Sequence, residues 1–401
     1  MEISRGRRVL VLLATAALLL LAARALTTTE RWMLHYDLDI YLNVARSFLD
    51  TGSLYSYRTD TGMGFTYPPV AIVFFLPFVS LPPTTAWVFW NLLIVAATVP
   101  TAWLWAREVR ASVSTREFRM SAPAGFTGVV VVALVLASEP VTRSLWLGQV
   151  SPFVGVATVA GLVGVQARRG AWTGLGAAAK LTPGANLAAY LAFAHLRPRI
   201  VPAVVTGVVL TGLGVLIAPA SSWEYFGTLV WDSSRVGRVD LATNESLAGV
   251  FARWGVPAPV ATKVGLFTAV VLAVGWFLAV RRHRPGPVEV VGAVGVTMLF
   301  ALPIGWSHHA LPVVFAWVGL FVIGVFDRGP RWWLLPGCAV AGLAVWTVPV
   351  VYWTMRWIPQ VMAAAPYVRP VSSLVLLAVT VWTARSRSTL PAGSDLAVPG
   401  R

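Results

Sequence analysis

The run VLVLLATAALLLLAARAL at residues 9–26, followed by HYDLDIY at residues 35–41, sets the class of this chain. Eighteen near-continuous apolar residues approach the length of about 20 that an α-helix needs to cross a bilayer. Asp37 and Asp39 then stand just beyond the membrane, followed by Leu38, Tyr41, Leu42, Ala45 and Phe48 at helical spacing. That pattern predicts an amphipathic helix lying in the interface, with Asp37 near lipid headgroups.

The pattern of the first run repeats along the chain. Further apolar runs occupy 84–106, 122–137, 150–166, 200–218, 260–280, 288–304, 310–326, 332–352 and 371–384. The chain is 57% hydrophobic and 12% charged, with mean hydropathy +0.73. A soluble protein of 401 residues cannot keep that much apolar surface from water. The expected fold is an all-α polytopic membrane protein, a bundle of about 10–12 transmembrane helices with an interfacial helix and re-entrant segments. Short alternating strands of a β-barrel do not appear. The single cysteine, Cys338, sits in an apolar run and reads as a small buried hydrophobe; it permits no intrachain disulfide.

Two stretches resist assignment as spans. Residues 68–82 are short and proline-rich, as in an interfacial or re-entrant segment, and Tyr67 before them suits headgroup depth. Residues 171–196 are interrupted at Lys180-Leu181-Thr182-Pro183-Gly184, which predicts two short helices returning to one side.

Net charge of +15 is almost all arginine. Nucleic acid is one reading; orientation in the membrane explains it better. Arg5, Arg7 and Arg8 precede the first run, and further arginines cluster at 107–119, 168–169, 197–199, 281–284, 328–331 and 385–387. Placing all of these in the cytoplasm puts both termini inside, provided 68–82 does not cross and 171–196 returns. One catalytic domain then covers 1–390, with a first outer loop at 27–83 and a disordered tail at 391–401. Ala23-Arg24-Ala25 loosely resembles a signal-peptide cleavage site, but an anchored start suits the acid that follows at once. Asp37, Asp39, Glu139, Gln149, Glu224, Asp232, Asp240, Glu245, His308 and His309 all fall outside under this arrangement. The reactive surface is therefore expected on the extracytoplasmic, periplasmic face.

Several motifs run in order along this framework. They are Asp37-Leu38-Asp39-Ile40-Tyr41, Gly52-Ser53-Leu54-Tyr55, Phe65-Thr66-Tyr67-Pro68-Pro69 and Leu147-Gly148-Gln149-Val150-Ser151. Ala179-Lys180-Leu181-Thr182-Pro183, Asn244-Glu245-Ser246-Leu247-Ala248-Gly249 and Gly305-Trp306-Ser307-His308-His309 complete the set. Together they resemble glycosyltransferase family 87, polytopic GT-C-type enzymes that use polyprenyl-phosphate sugars outside the plasma membrane. The opening motif and the arginine- and alanine-rich style are similar to members that add α-1,2-mannose to phosphatidylinositol mannosides. Two positions depart from the family pattern: Ser151 stands where Asn is frequent, and Glu245 where Gln is frequent.

The resemblance implies a mannosyltransferase with a polyprenyl-phosphate-mannose donor and a phosphatidylinositol mannoside or lipoglycan acceptor, making an α-1,2 bond with inversion. Phosphate leaves without much acid assistance, so one carboxylate suffices as general base, unlike the paired acids of glycosidases. The family motif places that role on Asp37; Asp39, two residues on, points elsewhere on a helix. The departing phosphate needs cations or donors, and His308, His309 and Lys180 are the candidates. An interfacial histidine pair, and a lysine that snorkels to the cytoplasm, are the plainer alternatives. Asp39, Tyr41, Tyr67, Gln149, Asn244, Glu245 and Trp306 are candidate substrate-binding residues; loop bracing and capping is the alternative for Asn244.

No metal or other cofactor is expected. The two histidines lack a third ligand at suitable spacing, and Asp37-Leu38-Asp39 lies on the side where nucleotide sugars are absent. A relative using decaprenyl-phosphate arabinose is the nearest enzymatic alternative. A lipid or sugar transporter is the alternative of another class, and the one-sided gathering of polar residues opposes it.

Overall fold

The computed structural model describes residues 34–113, 124–164, 166–232, 234–326, 334–347 and 362–388, with 15, 16, 19 and 20 ahead of them. The rest of the expected first span, the loop at 114–123 and the tail at 391–401 lie outside the described residues. Every regular element among the described residues is helical. Four helices are long and apolar enough to cross a membrane, and a bent pair makes a fifth candidate. The chain is an all-α polytopic membrane protein. Among the described residues, several apolar runs form helices shorter than a full span, such as Ser151–Leu162, Pro287–Ala301 and Leu311–Phe326, which are largely enclosed by protein.

The segment at 34–82 opens with α1, Tyr36–Thr51. The 3-10 turns Pro69–Phe74 and Leu76–Phe78 follow, too short to cross. Helix α2, Pro83–Val113, is a long span. Helices α3, Ala124–Ala137, and α4, Glu139–Leu147, meet at 55°. The bend falls at Ser138, whose Oγ donates to the Val135 carbonyl, and Pro140 in the first turn of α4 favours a fresh helix start there.

After α5, Ser151–Leu162, comes the interrupted hairpin. Helix α6, Gly170–Ala179, stops at Lys180, a 3-10 turn covers Thr182–Ala185, and α7 spans Asn186–Ala192. The break expected from Lys180 to Gly184 is present. A buried polar set holds the hairpin to α5: Asn186 Nδ2 donates to the Thr158 carbonyl (3.0 Å) and to Thr173 Oγ1 (2.8 Å), and Tyr190 donates to the Gly161 carbonyl.

Helix α8, Ile200–Ile217, runs into the short α9, Pro219–Gly227. Then follow α10, Leu247–Arg253, and the span α11, Ala258–Val280. Helix α12 is Pro287–Ala301, α13 Leu311–Phe326, α14 Leu334–Thr347 and α15 Ala365–Ser388. Helix α13 is apolar all round and nearly wholly buried, packed by α2, α5, α12 and α14. It is a central core helix. By contrast α8 and α11 expose long apolar flanks, including Val204, Val208 and Leu216 on one and Phe267, Val271 and Leu278 on the other, as lipid-facing helices do.

A second core, rich in aromatic side chains, lies beside α1. Leu38, Tyr41, Leu42 and Ala45 pack there with Tyr55, Phe65, Tyr67, Phe75 and Trp90. This corrects the expectation that the apolar face of α1 lies on lipid: it is turned onto protein. The same face reads identically in sequence whichever apolar partner covers it.

Candidate active site

Chain segments far apart in sequence converge on a cavity of about 570 Å³. The first two turns of α1 bring Asp37 and Tyr41, and the approach to the 3-10 turns brings Tyr67. The end of α4 brings Gln149. Gly148 caps α4 at φ 70°, and a Cβ there would meet the Leu38 Cβ at 2.5 Å. Only glycine combines that conformation with so close an approach, and the approach sets Gln149 against Asp37.

Gln149 Nε2 donates to Asp37 Oδ2 at 2.8 Å. Its amide cannot turn over, because Oε1 accepts from Tyr67 Oη (3.2 Å), the Val150 N–H (3.1 Å) and Ser151 Oγ (3.2 Å). Tyr41 Oη in turn donates to Tyr67 Oη at 2.8 Å. The amide therefore fixes one carboxylate oxygen of Asp37. Ser151, where the family pattern favours Asn, supplies one of the three donors that orient Gln149. Burial pushes the Asp37 carboxyl up to about 6, against the hydrogen bond from Gln149 and the charges of Arg143 and Lys180.

Across the cavity, Lys180 at the hairpin break meets the 3-10 turn Ser307–His309. Lys180 Nζ lies 2.8 Å from His309 Nε2 and 5.2 Å from the centre of the Tyr67 ring. His309 Nδ1 accepts the Trp306 N–H at 3.2 Å. A neutral imidazole has one acceptor nitrogen, so Nε2 carries the hydrogen and donates to an uncharged Lys180 amine. Burial pushes Lys180 down to about 7, with Asp37 pulling the other way. Burial and Lys180 also hold both histidines well below the ordinary histidine value. His308 is buried at the cavity wall, and its Nε2 makes no hydrogen bond among the described residues. A buried ring nitrogen left unpartnered beside the cavity is one whose hydrogen bond a ligand can complete.

Of the residues predicted from sequence, Asp37, Tyr41, Tyr67, Gln149, Lys180, Glu245, Trp306, His308 and His309 line this one cavity. Two lie elsewhere. Asp39 turns back to its own helix start, where its Oδ2 is 2.5 Å from His35 Nδ1. Asn244 is fully buried and braces two loops. Its Nδ2 donates to the Val239 (2.8 Å) and Pro303 (3.0 Å) carbonyls, and its Oδ1 accepts from the Ser246 (3.1 Å) and Gly305 (2.8 Å) N–H groups. Every hydrogen-bonding position of the amide is used, so Asn244 is corrected from a substrate-binding residue to the brace that carries the Gly305–Trp306 turn.

Sequence reasoning assigned no site role to several charged lining residues, Glu139, Arg143 and Arg369 among them. Glu139 and Arg143 stand one turn apart on α4, and Arg369 projects from α15 to ion-pair with Glu139 and with Glu245 (3.0 Å). A charge beside an apolar run was the signal used for Lys180, and it applies equally to Arg369.

The comparisons with known proteins follow this geometry. A sequence model of glycosyltransferase family 87 matches residues 65–303. That stretch holds Tyr67, Gln149, Lys180 and Glu245, while Asp37 and the histidine pair flank it. A polyprenol-phosphate-mannose-dependent alpha-(1-2)-phosphatidylinositol mannoside mannosyltransferase of Mycobacterium tuberculosis is 30% identical over 85% of this chain and 78% of its own length. Its namesake in Mycolicibacterium smegmatis is 29% identical over 78% of this chain and 75% of its own. A corresponding pentamannoside mannosyltransferase of M. tuberculosis is 27% identical over 80% and 73%. No solved structure matches the chain. With the family model covering more than half of it and a 30% identical relative spanning most of it, the chain belongs to glycosyltransferase family 87.

Proposed function

We propose that the protein transfers mannose from polyprenyl-phosphate mannose to a phosphatidylinositol mannoside or related lipoglycan, forming an α-1,2 bond at the extracytoplasmic face of the plasma membrane. The relatives' names supply the donor, acceptor and linkage. The single observation that carries the chemistry is a carboxylate with one oxygen fixed by Gln149, set in the same cavity as the Lys180–His309 pair.

The acceptor hydroxyl approaches Asp37, which takes its proton as the oxygen attacks the anomeric carbon. A carboxyl near 6 is basic enough to take that proton and still ionised at neutral pH. The new C–O bond forms as the bond to the phosphate oxygen breaks, in one displacement that inverts the carbon. Polyprenyl phosphate leaves with the bonding electrons. Lys180, gaining a proton as the phosphate binds, and the free Nε2 of His308 stabilise its charge. Arg143 adds a cation at the same wall. The arginine-rich clusters, including Arg281, Arg282 and Arg284, face the cytoplasm in this reading, as do both termini.

The test is purified protein with labelled polyprenyl-phosphate mannose and a panel of lipid acceptors. Asp37→Asn keeps the contact to Gln149 through its amide oxygen but turns a donor N–H toward substrate. Transfer should fall about 10²–10⁴-fold with folding intact. A folded Asp37→Asn protein of nearly full activity refutes the assignment.

A further inference from the structure

Arg369 is 4% exposed, yet it reaches the cavity from the last described helix. Its guanidinium pairs with Glu139 through Nη2 and with Glu245 Oε1 through Nη1 at 3.0 Å. The other Glu139 oxygen, Oε1, accepts from Ser307 Oγ at 2.9 Å. All three charged side chains line the cavity and are buried. A buried ionic triad of this kind is a poor way to gain stability, since well-packed apolar residues of similar volume do as well or better.

We propose that Glu139, Glu245 and Arg369 form a carboxylate-lined floor that holds the sugar ring of the donor, apart from the cationic wall that takes its phosphate. The proposal rests on the transferase reading above. With Arg143 one turn from Glu139 the floor is not a net acid; what it offers a sugar is carboxylate oxygens held in place by Arg369 and Ser307, which accept from hydroxyl groups. Neighbouring hydroxyls of a pyranose are donors at the spacing two clustered carboxylates accept. Position points the same way. Ser307, bonded to Glu139, shares its 3-10 turn with His308 and His309. The floor therefore begins one residue from the groups that take the phosphate. In the donor, the sugar is joined to that phosphate through one oxygen, so the ring of a phosphate-anchored donor falls on the floor. The acceptor enters from the Asp37 side.

The two ends are separable with two lipids, one carrying the sugar on its phosphate and one a sugar-free phosphate monoester, each variant being compared with wild type on the same lipid. Binding of polyprenyl phosphate and of polyprenyl-phosphate mannose is measured on the full chain in lipid nanodiscs, for wild type, Glu139→Gln, Glu245→Gln and Lys180→Met. Each Glu→Gln change keeps side-chain volume and weakens acceptors for sugar hydroxyls. The floor requires about a ten- to hundredfold loss of affinity for the mannosylated lipid in Glu139→Gln, and a smaller loss in Glu245→Gln, which places there the residue the family pattern favours, with affinity for the sugar-free lipid kept within about twofold. Retained polyprenyl-phosphate binding also shows that the variant is folded. Lys180→Met should weaken both lipids alike. Equal losses for both lipids in Glu139→Gln and Glu245→Gln, or unchanged binding of the mannosylated lipid, overturn the floor while leaving the transferase reading standing. Wild-type protein that binds neither lipid overturns the transferase reading, and the floor with it.

Discussion

The two groups that face each other across the cavity make the pH dependence of donor use unusually narrow. In the proposed mechanism Asp37 must be ionised to take a proton, and burial raises it to about 6, so activity should be lost as pH falls through that value. Lys180 must be protonated to hold a phosphate, and burial lowers it to about 7, so activity is lost as pH rises through that value. The donor phosphate is a diester and keeps one charge throughout the range, so the profile belongs to the protein. At pH 6.5 about three-quarters of each group is in its working form, and just over half of the molecules, roughly, have both. At pH 5 about a tenth of Asp37 is ionised, and at pH 8 about a tenth of Lys180 is protonated. The ratio kcat/KM for donor should therefore peak near 6.5 and drop about sixfold at pH 5 and at pH 8.

The bound enzyme behaves differently. A phosphate beside Lys180 favours its charged form, so the alkaline limb of kcat, measured at saturating donor, should lie well above that of kcat/KM. The assay is initial-rate transfer of labelled mannose over pH 5 to 9 at several donor concentrations, with acceptor held constant. Lys180→Met should have lower efficiency at every pH and no alkaline limb near 7. A flat kcat/KM from 5.5 to 8, or an unchanged alkaline limb in Lys180→Met, refutes the pairing of these two titrations with catalysis.

Other outcomes follow from particular contacts. Ser151→Ala removes one of three donors to the Gln149 amide oxygen, a loss of about 1 kcal/mol, so kcat should fall about fivefold or less with donor KM unchanged. Asn244→Ala strands two buried N–H groups and the Val239 carbonyl, at about 1–3 kcal/mol each, and leaves the Pro303 carbonyl with Ser246 alone, so thermal unfolding of the purified protein should shift sharply downward. In a Cys338→Ala background, Gly62→Cys or Thr243→Cys should react with an impermeant thiol reagent in intact cells and Gly286→Cys should not; the reverse pattern inverts the topology.

Much of this was legible in the sequence because it depends on local pattern. Apolar runs gave the membrane class, and proline and glycine around Lys180 marked the broken hairpin that the structure contains. Gly148 followed by Gln149 at a helix end was visible as a motif. What escaped reading depends on distance along the chain. Lys180 and His309 are 129 positions apart, and Arg369 and Glu245 are 124 apart. Spacing carries no information at such separations. Asn244 was misassigned because an amide presents the same two donors and two acceptors to a sugar and to loop backbone. The inward turn of α1 was hidden because an apolar stripe does not specify lipid or aromatic side chains as its partner.

The same distances explain how a membrane fold with few long helices holds a precise site. Asp37 is positioned from three directions: by its own helix start, where Asp39 joins His35; by Gly148, which admits Leu38 against the end of α4; and by the Tyr67, Val150 and Ser151 donors that fix Gln149. None of these contacts needs substrate. The opposite wall is built otherwise, on a four-residue hairpin break and a three-residue 3-10 turn. There the Lys180–His309 contact can exist only while the amine is uncharged. A phosphate that charges Lys180 must therefore release it from His309 Nε2–H, freeing that N–H as a second donor to the phosphate. In the proposed mechanism the base is therefore fixed before substrate arrives, while the phosphate wall is completed by the phosphate itself. On this account Asp37 contributes mainly to kcat. Lys180 and His309 contribute to donor affinity and transition-state stabilisation together, so His309→Ala should lower kcat/KM for donor more than kcat. An equal fall in both, with donor affinity unchanged, contradicts this division of labour.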